Sequence, residues 1–298
     1  MGMAGCSQES RRHARRACVV GSQRIAVHHR DAASGSDDPH RHSGGPALPR
    51  YRGRARGYME QVRHRTDDAV LLSTPRTIGE LDRELRQELT DSGSHANIMV
   101  GETNSSAVYF GKQTVGIVNA MFLVDDMLTW LEQGVAGIDW YAWQIAMAAD
   151  DNHPQLYGDA NFGTIGLLST GDCVDMPDHR RICEPPRNTP FAPYFTLKLV
   201  SQLTRRGTRL VQVRSDNATV VVHALSQPDG RITVVLINTD RTRSHRVHVD
   251  LPGISAGKVT LVSFADKDDD LQTGEANSVT DIDLGPYSVT ALTGRRPD

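Results

Sequence analysis

Near residue 208 the chain changes rhythm, and this switch constrains its fold more than any other feature of the sequence. Between about 75 and 203, helical patterns alternate with short apolar runs. Thr77-Ile78-Gly79-Glu80 matches the S/T-x-x-E capping box, with Pro75 just upstream. Ile78, Leu81, Leu85 and Leu89 follow at three- and four-residue spacing, which predicts a helix with one buried stripe ending at Asp91-Ser92-Gly93-Ser94. Ile98-Met99-Val100-Gly101 reads as a strand buried on both faces. A long helix is expected over 113–133 with Gly134 as its stop, then a strand over 137–143 and a helix from Pro193 to Leu203. This is the order of βα units on a parallel sheet. From 208 the pattern becomes strands only, at 208–214, 218–225, 231–238, 244–250, 258–264 and 287–293. Six short strands separated by turn residues such as Pro228-Asp229-Gly230 predict an antiparallel sandwich.

Charge divides the chain differently. Residues 1–56 hold 11 Arg, no Lys and 4 acidic residues, a net +7, whereas residues 57–298 carry −10. The leader has one aromatic residue, Tyr51, and one short apolar cluster, Ala17-Cys18-Val19-Val20, too little to offset the entropy of ordering it. It is expected to be disordered. A basic nucleic-acid arm or a targeting segment would be the functional alternatives. The Arg residues lack aromatic interleaving, and no apolar core of a signal peptide is visible. Arg outnumbers Lys 29 to 4 over the whole chain, the mark of GC-rich coding DNA, so a non-native leader is the remaining reading. The overall balance of −3 argues against a nucleic-acid partner, and no run approaches the roughly 18 apolar residues of a membrane helix.

The chemistry concentrates where the first apolar strand ends, in Gly101-Glu102-Thr103-Asn104-Ser105. Side chains just past the ends of parallel barrel strands face a common mouth, where a carboxylate can attack an anomeric carbon. Glu102 could equally bond to loop amides or to the next helix. The following unit ends in Asp139-Trp140-Tyr141-Ala142-Trp143-Gln144. Trp140 and Trp143 offer aromatic faces for a sugar ring, and Asp139 and Gln144 offer groups for its hydroxyls. Either Trp could instead pack beneath the neighbouring layer.

Residues from about 64 to 298 resemble the C-terminal portion of retaining (β/α)8 glycoside hydrolases with an appended β-sandwich, nearest to actinobacterial α-L-arabinofuranosidase-like proteins. The likeness runs through Val100-Gly101-Glu102-Thr103-Asn104-Ser105, Gly111-Lys112-Gln113-Thr114-Val115, Thr129-Trp130-Leu131-Glu132-Gln133-Gly134, Asp139-Trp140 and Gly166-Leu167-Leu168-Ser169 to Gly285-Pro286-Tyr287-Ser288. The Glu102 segment is also similar to the nucleophile segment of heparanase-like β-glucuronidases. The resemblance implies that Glu102 is the nucleophile at the end of strand seven and that Trp140 and Trp143 lie on strand eight. With them, Asn104, Asp139 and Gln144 become expected sugar contacts. It also implies a departure, because these families place an acid/base Glu after an Asn on strand four and no Asn-Glu pair occurs here.

The expected fold class is therefore α/β plus all-β: the last strands of a (β/α)8 barrel followed by an antiparallel β-sandwich. The expected domains are 1–63 as a basic leader, 64–206 as a partial catalytic domain and 207–298 as the sandwich. A β-glucuronidase-like or β-xylosidase-like specificity is the alternative within enzymes, and a non-catalytic carbohydrate-binding or structural remnant is the alternative outside them. Cys173 and Cys183 bracket one polar loop and either pair as a disulfide, which would suit an extracellular parent, or stay free. Their spacing does not suit zinc, and Asp266, Asp268 and Asp270 lack the Gly of a calcium loop, so neither metal nor other cofactor is expected. His153, His179 and His223 lack ligand spacing and read as ordinary residues.

Overall fold

A computed structural model describes residues 17–20, 23–28, 67–106, 111–150, 161–250, 258–277 and 281–295. Among the described residues after the strand at 23–28, the first helix lies N-terminal to the one that the capping-box pattern predicts. Asp67 caps α1 (Asp68–Ser73) by accepting from Ala69 N at 2.8 Å. A 3₁₀ turn, Thr74–Thr77, then leads directly into α2 (Ile78–Asp91). Thr77 is thus already helical, and its hydroxyl donates back to Thr74 O rather than capping α2. The stripe of α2 does face inward, with Ile78 and Leu85 buried.

The expected 113–133 helix is two helices, α3 (Lys112–Val115) and α4 (Ile117–Glu132). Gly116 breaks it in extended conformation, and a Cβ there would stand 2.9 Å from Lys112 O. Gly134, at φ +76°, ends the run as its position suggests. α4 is apolar nearly all round because it lies between layers. On one side stands a four-stranded sheet of order β1-β2-β3-β4: β1 (Ala17–Val20), β2 (Gln23–His28), β3 (Asn97–Thr103) and β4 (Ile138–Trp140). β3 and β4 run parallel, with Val100 opposite Ile138, while β2 pairs antiparallel on the other edge of β3. Within the segment expected to be unstructured, residues 17–20 and 23–28 thus form two antiparallel strands, the second of which pairs with the edge of β3. The rest of 1–63, with Cys6, and His153 lie outside the described residues.

After β4 come the short pairs β5 (Ala148–Asp150) with β6 (Asn161–Gly163) and β7 (Cys173–Asp175) with β8 (Arg181–Cys183). α5 (Ala192–Leu203) follows and packs on α4. Among the described residues the remainder is all-β: β9 (Arg209–Val211), β10 (Val220–Ser226), β11 (Arg231–Asn238), β12 (His245–Val247), β13 (Val259–Ala265), β14 (Gln272–Ala276), β15 (Ile282–Leu284) and β16 (Ser288–Arg295).

The layers of this half differ from two matched sheets. Six strands form one antiparallel sheet, β14-β13-β16-β11-β10-β9, while β12 and β15 form a two-stranded ribbon. Alternation along β11 explains the arrangement. Val235 and Ile237 join Phe122, Leu128 and Leu199 in the core shared with α4 and α5. Val234 and Leu236 face the other way, onto Ile282 and Leu284 of the ribbon. Among the described residues, one face of the sheet is therefore covered by helices and the opposite face by the β12-β15 ribbon. β14 and β15 escape sequence reading because β14 is almost wholly exposed and β15 has three residues.

Candidate functional site

β3 carries the candidate nucleophile, and an irregularity in its pairing decides where that residue faces. Ile98 and Val100 point into the helix layer, in a cluster with Ile78, Leu85 and Trp130. Strict alternation would send Glu102 the same way. Instead Thr103, not Glu102, stands opposite Trp140 of β4, three residues along β3 against two along β4. On the other edge Arg24 of β2 stands opposite Glu102 while Ile25 stands opposite Val100, again one residue extra on β3. This is a β-bulge at Gly101, a device that re-aims side chains. Thr103 returns to the helix side, where its hydroxyl donates to Asp126 Oδ2 at 2.9 Å. Glu102 is left half-buried on the opposite face.

The strand ends are tied together by Asn104. Its Nδ2 donates to Tyr141 O and, at 3.1 Å, to Ile165 O. Its Oδ1 accepts from Ser105 N at 2.7 Å and from Asn119 Nδ2 at 3.3 Å. The residue is 1% exposed, and an amide so engaged has nothing left for a sugar hydroxyl. The expectation that Asn104 binds substrate is corrected: it joins the end of β3 to the loop after β4. Burial also removes Asn104 as a glycosylation acceptor. Tyr141 N donates to Thr103 O, and Ala142 N to Ile165 O, which continues the same seam.

The remaining expected contacts separate by exposure. Trp140 is half-buried, its ring 6.3 Å from that of Phe122 and packed against the central core, so it takes the packing role. Trp143 lies three residues beyond β4 rather than on a strand and is 59% exposed. Its ring meets Tyr194 edge-on at 6.1 Å, and Tyr141 beside it is 40% exposed. Asp139 is exposed. Gln144 is half-buried and spends its amide nitrogen on Ser169 O at 2.6 Å and Asn188 Oδ1 at 3.1 Å, pinning the loop instead of offering that group to a ligand.

A disulfide joins Cys173 and Cys183 across β7 and β8, their Cα atoms 4.0 Å apart. Of the two pairing alternatives, the structure has the bridged one. Glu184, next to it, is buried and accepts from Thr170 N and Thr170 Oγ1, each at 2.6 Å, and from Gly171 N at 3.1 Å. The hairpin is thus held to the loop that Gln144 grips. Replacing both Cys by Ser is expected to cost about 2–3 kcal/mol, the loop-entropy value for so short a closure. Limited proteolysis over 176–180, faster in the double variant, checks it; unchanged cleavage would show the bridge constrains nothing.

Sequence reasoning missed His223 of β10. It is 3% exposed, with Nδ1 2.7 Å from Glu132 Oε1 and Nε2 3.1 Å from Asp125 Oδ1. No local spacing reveals it, because both partners lie more than ninety residues away, on α4. Asp266, Asp268 and Asp270 form an acidic hairpin loop between β13 and β14, where Asp270 meets Lys198 at 3.0 Å. Among the described residues no group of three or more His, Cys, Asp or Glu is arranged to hold a metal, and no helix is long and apolar enough to cross a membrane.

Two clefts, of about 390 and 280 Å³, lie away from this surface. The larger is lined by residues such as Ile117, Phe195, Phe264 and Asp268, the smaller by Arg76, Arg214 and Val222, and neither reaches Glu102 or Trp143. The physical reason is the strand number. Among the described residues only β3 and β4 pair in parallel, and two strands make a ledge rather than an enclosed mouth.

No family model matches the chain, and no curated protein does. Solved structures do. A glycoside hydrolase family 44 xyloglucanase from Paenibacillus polymyxa matches with a TM-score of 0.53 at 9% identity, over 76% of this chain and 41% of that one. A structure of the P. polymyxa family 44 xyloglucanase with xyloglucan matches at 0.53 and 9%, over 77% and 42%. The arabinose complex of an α-L-arabinofuranosidase from Thermotoga maritima stands at 0.49 and 11%, over 76% and 50%. The chain spans about two fifths of the length of the two xyloglucanase structures. At such identity the likeness is one of architecture, and the chain has a mixed helix–sheet fold shared with glycoside hydrolases.

Proposed function

We propose that this chain is the C-terminal portion of a retaining glycoside hydrolase acting on α-L-arabinofuranosidic bonds, with Glu102 as its nucleophile. The observation that carries the reading is the bulge at Gly101, which turns a carboxylate away from the helix layer at the end of a parallel strand. In a retaining mechanism such a carboxylate attacks the anomeric carbon, and a covalent glycosyl-enzyme forms as the leaving oxygen departs. A general acid protonates that oxygen, and in this reading the acid belongs to a part of the barrel outside residues 64–206. Residues 207–298 are the appended β-domain. The exposed Trp143 presents an aromatic face to the sugar, and the exposed Asp139 of β4 offers a carboxylate for hydroxyls. β-Glucuronidase-like and β-xylosidase-like specificities are the alternatives for the same residues. The disulfide supports an extracellular parent.

An aryl α-L-arabinofuranoside, whose leaving group needs little protonation, is the substrate for the test. Glu102→Gln is expected to reduce its hydrolysis by about 10³-fold or more, to background. A 2-fluoro arabinofuranosyl fluoride should label the wild-type chain on Glu102 by one sugar mass. Turnover that survives Glu102→Gln removes Glu102 from the mechanism. A second reading, a non-catalytic sugar-binding remnant, is favoured by the absence of any Asn-Glu pair in the chain. It predicts oligosaccharide binding that Trp143→Ala abolishes, with no turnover and no label.

A further inference from the structure

A carboxylate in the middle of an apolar helix is costly unless it has work to do, and α4 carries one that the proposed chemistry does not use. Asp126 is fully buried, as is Thr103, whose hydroxyl donates to it at 2.9 Å. Thr103 directly follows Glu102 and is the residue that the bulge returns to the helix side. If Thr103 were not held there, the strand could regain plain alternation, Val100 and Glu102 would share the helix-facing side, and the carboxylate of Glu102 would be buried among Ile78, Leu85 and Trp130. We propose that Asp126 is a positioning residue: by holding Thr103 it stabilises the bulge at Gly101 and so the outward aim of Glu102. The catalytic meaning of that aim rests on the function proposed above, but the aim itself does not.

Asp126 is also placed to make the hold depend on pH. Burial pushes its carboxyl up to about 7, with the Thr103 hydroxyl pulling it back and the negative charge of Asp125 adding to the rise. Among the described residues, the groups facing it include Thr103 from β3 and Asp125 and Trp130 from α4 itself; Asp125 in turn faces His223 of β10. An ionised acceptor strengthens the bond from the Thr103 hydroxyl. The strand end is therefore gripped more firmly above neutrality than below it.

The test reads the carboxyl carbon of Glu102 by ¹³C NMR in the full chain, assigned through its loss in Glu102→Gln. In the wild type the signal should show an inflection near pH 7 in addition to its own titration. That inflection should vanish in Asp126→Asn and in Thr103→Val, and return in Thr103→Ser, which keeps the hydroxyl. An inflection that persists in either of the first two variants, or is missing from the wild type, overturns the proposal. Should Asp126→Asn fail to fold, the Val and Ser variants at 103 decide alone. Absence of turnover on aryl arabinofuranosides would reject the glycosidase reading and leave this result standing.

Discussion

Replacing His223 by leucine is expected to lower the unfolding free energy by about 3–5 kcal/mol, the usual cost of breaking a buried ion pair from one side. The residue joins β10 to α4, so it fastens the antiparallel sheet to the helix layer. Burial opposes its charge, yet the hydrogen bonds and charges of Asp125 and Glu132 outweigh burial and lift its pKa to about 9. At neutral pH it therefore donates through both ring nitrogens. Without it Asp125, 5% exposed, would keep a buried charge with no cation, whereas the Glu132 side chain, 30% exposed, can turn to water. The double variant His223→Leu/Asp125→Leu removes both charges and should lie closer to wild type than the singles suggest, with a coupling of about 1–3 kcal/mol. Denaturant titration of the four proteins measures this, and simple additivity would reject the ion-pair account.

The same group gives stability a pH dependence whose sign is fixed. Its ordinary pKa is 6.5 and its folded value about 9, so the contribution is fully present below 6.5 and lost as pH rises through 9. Its size is about 3 kcal/mol at most. Asp126, raised from 3.8 to about 7, acts in the same direction, and stability falls as pH climbs through that window. Asp178, Asp229, Asp240 and Asp270 are held low by Arg180, Arg231, the Thr242 amide and Lys198 respectively, and their contributions are lost on acidification. A stability maximum between about pH 4 and 6 follows. A maximum above pH 8 would contradict it.

Phe122→Ala should cost a further large amount, about 3–5 kcal/mol, whereas Trp143→Ala should cost less than about 1 kcal/mol. Both are aromatic, and both lie close to the strand-end surface. Phe122 is wholly buried at the centre of α4, among Leu71, Leu199, Leu225 and Val235, and supports the ring of Trp140. Its removal opens a cavity that four different elements would have to collapse into. Trp143 is 59% exposed and touches Tyr194 only edge-on, so its deletion exposes little. Urea midpoints separate the two cases. Equal losses would mean that Trp143 is a structural residue and has no surface free for a ligand.

Much of the fold was legible because local periodicity carries it. The stripe Ile78-Leu81-Leu85-Leu89, the apolar run of β3 and the alternating strands β10, β11, β13 and β16 all stand where their patterns place them. Illegible parts have identifiable causes. The break at Gly116 follows from a backbone approach to Lys112 O that no hydropathy pattern reports. The exposed strand β14, Gln272-Thr273-Gly274-Glu275-Ala276, owes its place to pairing with β13, since its own residues have no core to face. In the candidate site, the sequence offers Glu102 and Trp143 as candidates and offers Asn104 and Gln144 on the same footing, and only the hydrogen-bond partners of the last two set them apart.

By itself the sequence determined the change near residue 208 from mixed helix and strand to strand alone, the helix and strand periods on either side of it, and the identity of the carboxylate near the end of β3. Those are consequences of which side chains recur at which spacing, a property of neighbours along the chain. Only the tertiary structure decided which face that carboxylate occupies. Alternation alone would bury Glu102 beside Val100, and the bulge at Gly101 is set by the registers of β2 and β4 and by the hold of Asp126 on Thr103. The same holds for His223, whose two carboxylates are assembled around it by packing between residues 91 and 98 positions apart. Period is local, whereas register and partnership are fixed by what the rest of the chain brings alongside.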